Sequence, residues 1–322
     1  MSTKGSIIVL AYPDTFVSLT GEWQVKLLNK LGIGKHGKVK AGHAAQVLIN
    51  NETGEARYFD FGRYITPYGK GRVRSAETDV ELLLPIRAQI KDGKIENLKE
   101  FLVWLSNNPQ KTHGEGRLIA SVCENIDFNK ADTFINDIHR KGSIAYGAFV
   151  KRGSNCARFV TDTILASCSR FKTQFFLRKN KLFTPSGIGN VEHASSSGEM
   201  YLAIDGEVQA YEGTALKENL RNYLDKRLPR EIASTEYFLH HKAQRLDGIG
   251  SSAHYELEFI NGDYIISQYT ECGDLNFRSV FEPHKEGFDI NKKYWFVYDS
   301  HNKHCHIKQG DEIYCFDVKR GV

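Results

Sequence analysis

Two β-rich runs set around an Asn/Gly turn place the strongest constraint on how this chain folds. Lys40-Ala41-Gly42-His43-Ala44-Ala45-Gln46-Val47-Leu48-Ile49 and Ala56-Arg57-Tyr58-Phe59-Asp60-Phe61-Gly62-Arg63-Tyr64 flank the turn-rich Asn50-Asn51-Glu52-Thr53-Gly54-Glu55, the pattern of a β-hairpin. Side chains alternate across a strand, so His43, Ala45, Val47 and Ile49 share one face, and Tyr58, Asp60 and Gly62 share one face of the partner. Closing the hairpin over residues 50–55 sets Ala45 beside Asp60, with Asp60 diagonal to His43 and on the same side. A carboxylate next to an imidazole fixes its tautomer and stabilises its charged form. Taken singly, each residue has a plainer reading: His43 as a locally bonded strand-end residue, Asp60 as a solvent-facing charge beside Arg57 or Arg63.

More than a hundred positions later, Arg152-Gly153-Ser154-Asn155-Cys156-Ala157-Arg158-Phe159-Val160-Thr161-Asp162-Thr163-Ile164-Leu165 passes from a small polar run into apolar spacing of a helical kind. Phe159, Val160, Thr163 and Ile164 form one stripe, and Ser154 or Asn155 is placed to cap the helix. Cys156 then lies in the first turn, where unpaired backbone N–H groups and the helix dipole favour a thiolate. The competing reading is a small buried hydrophobe. With His43 and Asp60 the cysteine completes the recipe for a thiol nucleophile with an imidazole base and an orienting carboxylate.

At 322 residues the chain exceeds what one core usually serves, and it divides into an expected first domain, 1–190, and a smaller β-rich second domain, 191–322. A strand is predicted over 7–12 and an amphipathic helix over 18–31, stopped by Gly32 and Gly34. One or two strands follow over 72–84, then a helix over 97–107, a strand over 118–122, a helix over 129–140, and a Gly-punctuated segment, 142–149, leading to the Cys156 helix. Around 184–199 the composition turns to Pro, Gly, Ser and Asn, which reads as a linker or exposed loop. Strands over 200–211, a helix over 214–226 and short aromatic and β-branched runs from Tyr255 to Phe316 complete an α+β layout.

The net charge of +4 is mild and the basic residues are interspersed with acidic ones, which argues against a nucleic-acid partner. No apolar run is long enough to span a membrane. The apolar run Ile7-Ile8-Val9-Leu10-Ala11 meets Pro13 and Asp14 almost at once and reads as a buried strand rather than a signal peptide. Cytoplasmic residence, with signal-less secretion as the one way out, is the expectation. The six cysteines, Cys123, Cys156, Cys168, Cys272, Cys305 and Cys315, have no pairing rhythm and are expected to be free thiols.

Gly42-His43-Ala44-Ala45-Gln46-Val47-Leu48-Ile49, then Tyr58-Phe59-Asp60-Phe61-Gly62, and later Asn155-Cys156-Ala157-Arg158-Phe159-Val160 resemble the circularly permuted branch of the NlpC/P60 papain-like superfamily, in which the strand His precedes the helix Cys. The resemblance reaches up to the linker. It implies a papain-like antiparallel sheet packed on helices, with Cys156 as nucleophile, His43 as base and Asp60 as third polar group; the third position varies in type across the superfamily. Gln46 is a rival for that place, although alternation aims it at the opposite face. The resemblance implies a cysteine amidohydrolase or peptidase acting on a peptide, amide- or acyl-bearing substrate through an acyl-enzyme, with no cofactor. A different-class reading keeps the scaffold as a non-catalytic binding protein whose C-terminal domain recognises a protein partner.

Other clusters compete less well. His301, His304, Cys305, His306 and Cys315 invite a metal reading, but on a strand His304 and His306 face away from Cys305 and the spacing matches no closed zinc pattern, so no metal is assigned. Lys35-His36-Gly37-Lys38-Val39-Lys40 is a short basic loop, Gly32-Ile33-Gly34 lacks the spacing of a nucleotide motif, and His240-His241-Lys242 and Gly248-Ile249-Gly250-Ser251-Ser252-Ala253-His254 read as loops with no nucleophile elbow. Tyr146 borders the Cys156 segment and is expected to be a packing aromatic.

Overall fold

The structure is a computed structural model that describes residues 4–18, 38–147, 150, 152–183, 186–225, 243–249, 251–271 and 273–319. Nearly all of the helix expected over 18–31, together with Gly32-Ile33-Gly34, Lys35-His36-Gly37, His240-His241-Lys242 and Cys272, lies outside the described residues.

The long apolar run near the N-terminus becomes β1 (Lys4–Tyr12), and the two hairpin runs become β2 (His43–Asn50) and β3 (Ala56–Gly62). With β4 (Lys70–Arg74), β5 (Leu118–Asp127), β6 (Ile144–Ala145), β7 (Tyr201–Ile204) and β8 (Glu207–Ala210) they form one antiparallel sheet, in the order β6-β4-β3-β2-β1-β5-β7-β8. β1 sits at its centre and is apolar on both faces because both are covered. On one face Ile7, Val9, Leu48 and Phe61 pack with residues of α3 (Phe128–His139), α4 (Cys156–Ser167), α5 (Phe171–Phe183) and α6 (Gly187–Ala194). On the other, Ile8, Leu10, Val47 and Ile49 pack with Phe101, Leu102 and Leu105 of α1 (Leu98–Ser106), which α2 (Pro109–Thr112) follows.

The register carries the site. Tyr12 lies opposite His43, Ala45 opposite Asp60, and Asp60 opposite Arg74. The Ala45–Asp60 pairing is the one the hairpin spacing predicts.

A second antiparallel sheet, nearly closed into a barrel, comprises β9 (Gln244–Leu246), β10 (Ala253–Ile260), β11 (Asp263–Thr270), β12 (Leu275–Pro283), β13 (Trp295–Val297), β14 (His304–Gln309) and β15 (Glu312–Val318), ordered β9-β10-β11-β12-β15-β14-β13. Its core holds Tyr255, Leu257, Ile266, Phe281, Ile307 and Phe316. The two edge strands meet through one side chain: Gln244 accepts the Phe296 N–H at 2.9 Å and donates to the Tyr294 carbonyl at 3.1 Å. That bridge covers edges that would otherwise present unpaired backbone. The barrel touches the first sheet where Tyr64 bridges Ser251, the Ile65 N–H donates to the Ser251 carbonyl at 3.2 Å, and Ile65 enters the barrel core.

Three expectations need correcting. The Pro/Gly/Ser-rich 184–199 stretch is not a linker, because 187–194 form α6, capped by the Ser186 hydroxyl accepting from Gly189, with Ile188, Val191 and Ala194 buried. Ile188 and Val191, three apart, are the apolar stripe, and the small residues around them let the helix lie close to the sheet. The division at 190/191 therefore falls inside a core helix. β7 and β8 extend the first sheet, and α7 (Ala215–Leu224) is tied back to it, with Asn222 donating to the Pro13 carbonyl at 2.7 Å; the second sheet begins only at Gln244. In the 72–84 region, Arg72-Val73-Arg74 ends β4, but Val80–Leu82 form a single 3-10 turn rather than a strand, following Asp79, which is drawn onto Arg72 by hydrogen bonds of 2.7 and 2.6 Å.

Candidate active site

Gly42 adopts a left-handed φ of +74°, a turn that brings the chain into β2 with His43 as its first residue. His43 is buried, its ring stacked on Tyr12 at 6.2 Å, and its Nε2 lies 3.3 Å from Asp60 Oδ2. Asp60 is fully buried and fully engaged. Arg74 grips it with two N–H groups, Nε to Oδ1 at 3.1 Å and Nη2 to Oδ2 at 2.6 Å, and the Tyr58 hydroxyl donates to Oδ2 at 3.1 Å. Burial would raise the Asp60 pKa, but the Arg74 charge and the His43 and Arg74 hydrogen bonds outweigh it and hold the carboxyl well below its ordinary range. Arg74 itself is buried with its guanidinium 3.8 Å from the centre of the Tyr64 ring.

Cys156 comes from the other layer. The Asn155 side chain accepts from the Arg158 N–H at 2.8 Å, which makes Asn155 the cap and Cys156 the first residue of α4. Phe159, Val160, Thr163 and Ile164 are buried, as the spacing predicts. Ahead of the cap, Gly153 passes so close to the Ala145 carbonyl that a Cβ would sit 2.6 Å from it, so only glycine fits as Ser154 bridges to Tyr146.

The half-buried cysteine and His43 meet at the start of β2, close enough for each to shift the other's titration. Burial works against the thiolate. The proximity and charge of His43, with the N–H groups of Ala44 and Ala157, reverse that and bring the Cys156 pKa below its ordinary value. Burial likewise works against the imidazolium, but Asp60 and then Cys156 lift His43 to about 9. The two shifts run in the same sense, each favouring the charged form that the other stabilises. With Nε2 taken by Asp60, Nδ1 is the nitrogen left for the sulfur.

The sequence reading missed three contributors. Tyr146 does pack, stacked on Phe61 at 6.0 Å with the Arg63 guanidinium 4.9 Å from its ring centre, but it also lies close enough to Cys156 for burial and the cysteine's charge to push its hydroxyl pKa up. Arg74 and Tyr58 fix the carboxylate. Period-two alternation on β4 and the β3–β4 pairing were the available signals for Arg74. The residues named as neighbours of Asp60 are engaged elsewhere: Arg57 pairs with Asp132 at 2.7 Å and Arg63 lies on Tyr146. A second imidazole nearby, His113, stacks on Tyr64 at 4.9 Å and is held neutral, its pKa pushed down to about 3 by burial and by Arg74. Gln46 faces the opposite side and donates to Thr163 Oγ1 at 3.0 Å.

In the barrel, Cys305 is buried in the core, while His304 and His306 stand half-buried on the outer side. The stretch expected as a loop up to His254 ends instead in β10, which takes in Ala253 and a buried His254. The five described cysteines are free.

A sequence family described as type VI secretion system effector TseH-like matches residues 7–173, more than half of the chain. The chain belongs to the TseH-like family of type VI secretion system effectors. The TseH-like segment runs from β1 into α5 and so contains His43, Asp60, Arg74, Tyr146 and Cys156. A second family, the DUF6695 C-terminal domain, matches residues 243–319, the extent of the barrel. Among solved structures, the chain is similar to the crystal structure of the type VI secretion system effector TseH, with 20% sequence identity, a TM-score of 0.41, and 66% of this chain and 100% of that chain covered. No curated protein matches the chain. Among the described residues, no helix is long and apolar enough to cross a membrane.

Proposed function

We propose that this TseH-like chain is a secreted effector that hydrolyses an amide bond as a cysteine peptidase or amidase of the permuted papain-like, NlpC/P60 type. The observation that carries the reading is the convergence of Cys156, at the first position of α4, on a buried His43 whose Nε2 lies 3.3 Å from Asp60, close enough for thiol and imidazole to shift each other's titration. A type VI export route would take the chain out by the signal-less secretion that the expectation of cytoplasmic residence left open.

In this mechanism the Cys156 thiolate attacks the substrate carbonyl carbon and a C–S bond forms. The developing oxyanion accepts hydrogen bonds from the Cys156 backbone N–H and the Tyr146 hydroxyl, both at the N-terminus of α4 where the dipole is positive. The His43 imidazolium passes its proton to the leaving amine as the C–N bond breaks. Neutral His43 then takes a proton from water, whose oxygen attacks the acyl-enzyme; the C–S bond breaks and the thiolate returns. Asp60 stays ionised throughout and acts as a positioning residue, orienting the ring and stabilising its cation.

The test is to incubate the full chain with cell-wall stem peptides, isopeptide-linked proteins and lipid acyl esters, reading new amines or acids by mass spectrometry together with an acyl adduct on Cys156. Cleavage of at least one amide-bearing class by the wild type and not by Cys156→Ala supports the proposal; cleavage confined to the esters overturns the amide assignment. Cleavage that survives Cys156→Ala, or failure of Cys156 to alkylate faster than the other cysteines at neutral pH, overturns it in favour of a binding protein on this scaffold.

A further inference from the structure

The barrel carries its own cluster of metal-ligating residue types, independent of Cys156. Antiparallel register makes Glu282 and Asp317 direct neighbours on β12 and β15, places Cys315 beside His284 just past them, and on the other side sets His304 against Asp317 and His306 against Cys315. Cross-strand partners project to the same side of a sheet. The alternate residues of β14 and β15, Cys305, Ile307, Tyr314 and Phe316, fill the barrel core, so these six side chains share the outer wall. Within that group, one donor atom each from His284, Cys315 and Asp317 lies within 4.8 Å of the others.

We infer that His284, Cys315 and Asp317 form a site for a divalent transition metal of the zinc type. A tetrahedral ion with bonds of about 2.0–2.3 Å needs donors roughly 3.3–3.8 Å apart, which small rotations of these partly exposed side chains supply. One nitrogen, one sulfur and one carboxylate oxygen suit a borderline metal; the sulfur disfavours calcium or magnesium. His306, Cys315's neighbour on β14, also has a buried Nδ1 with no hydrogen-bond partner among the described residues, although it lies outside the group of three. The cluster faces solvent, which gives an ion a path in.

The position has a structural logic. β12 and β15 are joined by three register pairs, and one of them runs through Pro283, which has no N–H to donate. His284 lies on one side of that join and Cys315 and Asp317 on the other, so a bound ion would clamp the barrel beside the point where Pro283 interrupts its ladder. The His284–Asp317 contact of 2.6 Å is the bland alternative, a surface ion pair with a thiol that happens to lie beside it.

Titration of the reduced full chain with cobalt(II) as probe separates the two. The site predicts a saturable one-to-one complex with thiolate-to-cobalt charge-transfer absorption, displaced by zinc and retained in Cys156→Ala. Cys315→Ser removes the charge-transfer band, and His284→Gln or Asp317→Asn weakens binding at least tenfold. Zinc raises the melting temperature of the wild type and not that of Cys315→Ser. Should Cys315→Ser fail to fold, the tenfold loss in Asp317→Asn carries the same test. Absence of a saturable cobalt signal, or a charge-transfer band that persists without Cys315, overturns the site.

Discussion

The same three residue types, cysteine, histidine and aspartate, meet twice in this molecule, and the two meetings differ in what surrounds them. In the first sheet Asp60 and His43 are buried, an arginine neutralises the carboxylate, and the cysteine opens a helix. In the barrel His284 and Asp317 are about half exposed and Cys315 sits mid-strand, with no helix end behind it. The electrostatic result is opposite. Cys156 is drawn below the ordinary thiol pKa by His43 and backbone N–H groups, whereas burial and the Asp317 charge push Cys315 above it. Residue identity alone does not set the direction in which a thiol pKa moves; the imidazole, the backbone N–H groups and the charges around it do.

The largest effect that breaks or sharpens this contrast comes from Cys156. Replacing it with alanine is expected to lower hydrolysis by ~10³-fold or more, since the nucleophile's removal leaves only binding and oxyanion stabilisation. Alkylation followed by peptide mapping extends the contrast across pH. Cys156, with its lowered pKa, should begin to label at lower pH than Cys315, whose pKa is raised. Equal labelling profiles would erase the distinction between the two sites. The acid–base sign is fixed by His43: its imidazolium persists up to about pH 9, so hydrolysis should decline above that value as the proton needed by the leaving amine is lost.

Asp60→Asn comes next. It removes the negative charge that lifts His43, so the histidine pKa should fall and the alkaline limb of kcat/KM should move to lower pH, with a loss of ~10²-fold at the optimum. A merely structural role for Asp60 would lower the amount of folded protein and leave the limb in place. Arg74→Ala attacks the same pair from its other side. Stranding a buried carboxylate should cost ~3–5 kcal/mol in urea unfolding, a penalty that no exposed pair of the barrel should match.

The sequence made the centre of this site legible and its support obscure, for physical reasons. His43 and Asp60 lie on a hairpin closed by a short turn, so period-two alternation was enough to place them together. Cys156 follows a cap whose helix stripe is unambiguous. Arg74 needed the β3–β4 register, and a buried arginine looks in sequence like any surface arginine. Tyr146 depends on a loop bridge between residues 146 and 154 that no periodicity announces. The α6 error has a related cause: Gly and Ser spoke for a loop, while Ile188 and Val191 are too few to outweigh them until the sheet they cover is known. In the barrel, His304 and His306 were readable as same-face residues, but His284 and Asp317 join them only through pairing across three strands.

Tyr146→Phe has a smaller expected effect. Loss of one oxyanion donor should reduce kcat by ~10–100-fold with little change in KM, while Cys156 labelling persists, because His43 and the backbone N–H groups still hold the thiolate. A KM effect without a kcat effect would make Tyr146 a packing residue after all.

The smallest expected effect separates the barrel from the site. Gln244 ties the two edge strands together with two hydrogen bonds from one side chain, to Phe296 and Tyr294. Gln244→Ala leaves one backbone donor and one acceptor at that seam to be satisfied by water, which should cost ~1–2 kcal/mol in barrel stability. Hydrogen exchange should then rise at Phe296 and along the β9 and β13 edges, while Cys156 labelling stays unchanged, because the thiolate is set by groups within the first sheet and α4. If the substitution also slowed Cys156 labelling, the barrel would be shaping the site through the Tyr64–Ser251 bridge, and the contrast between a self-contained reactive centre and an independent second sheet would fail.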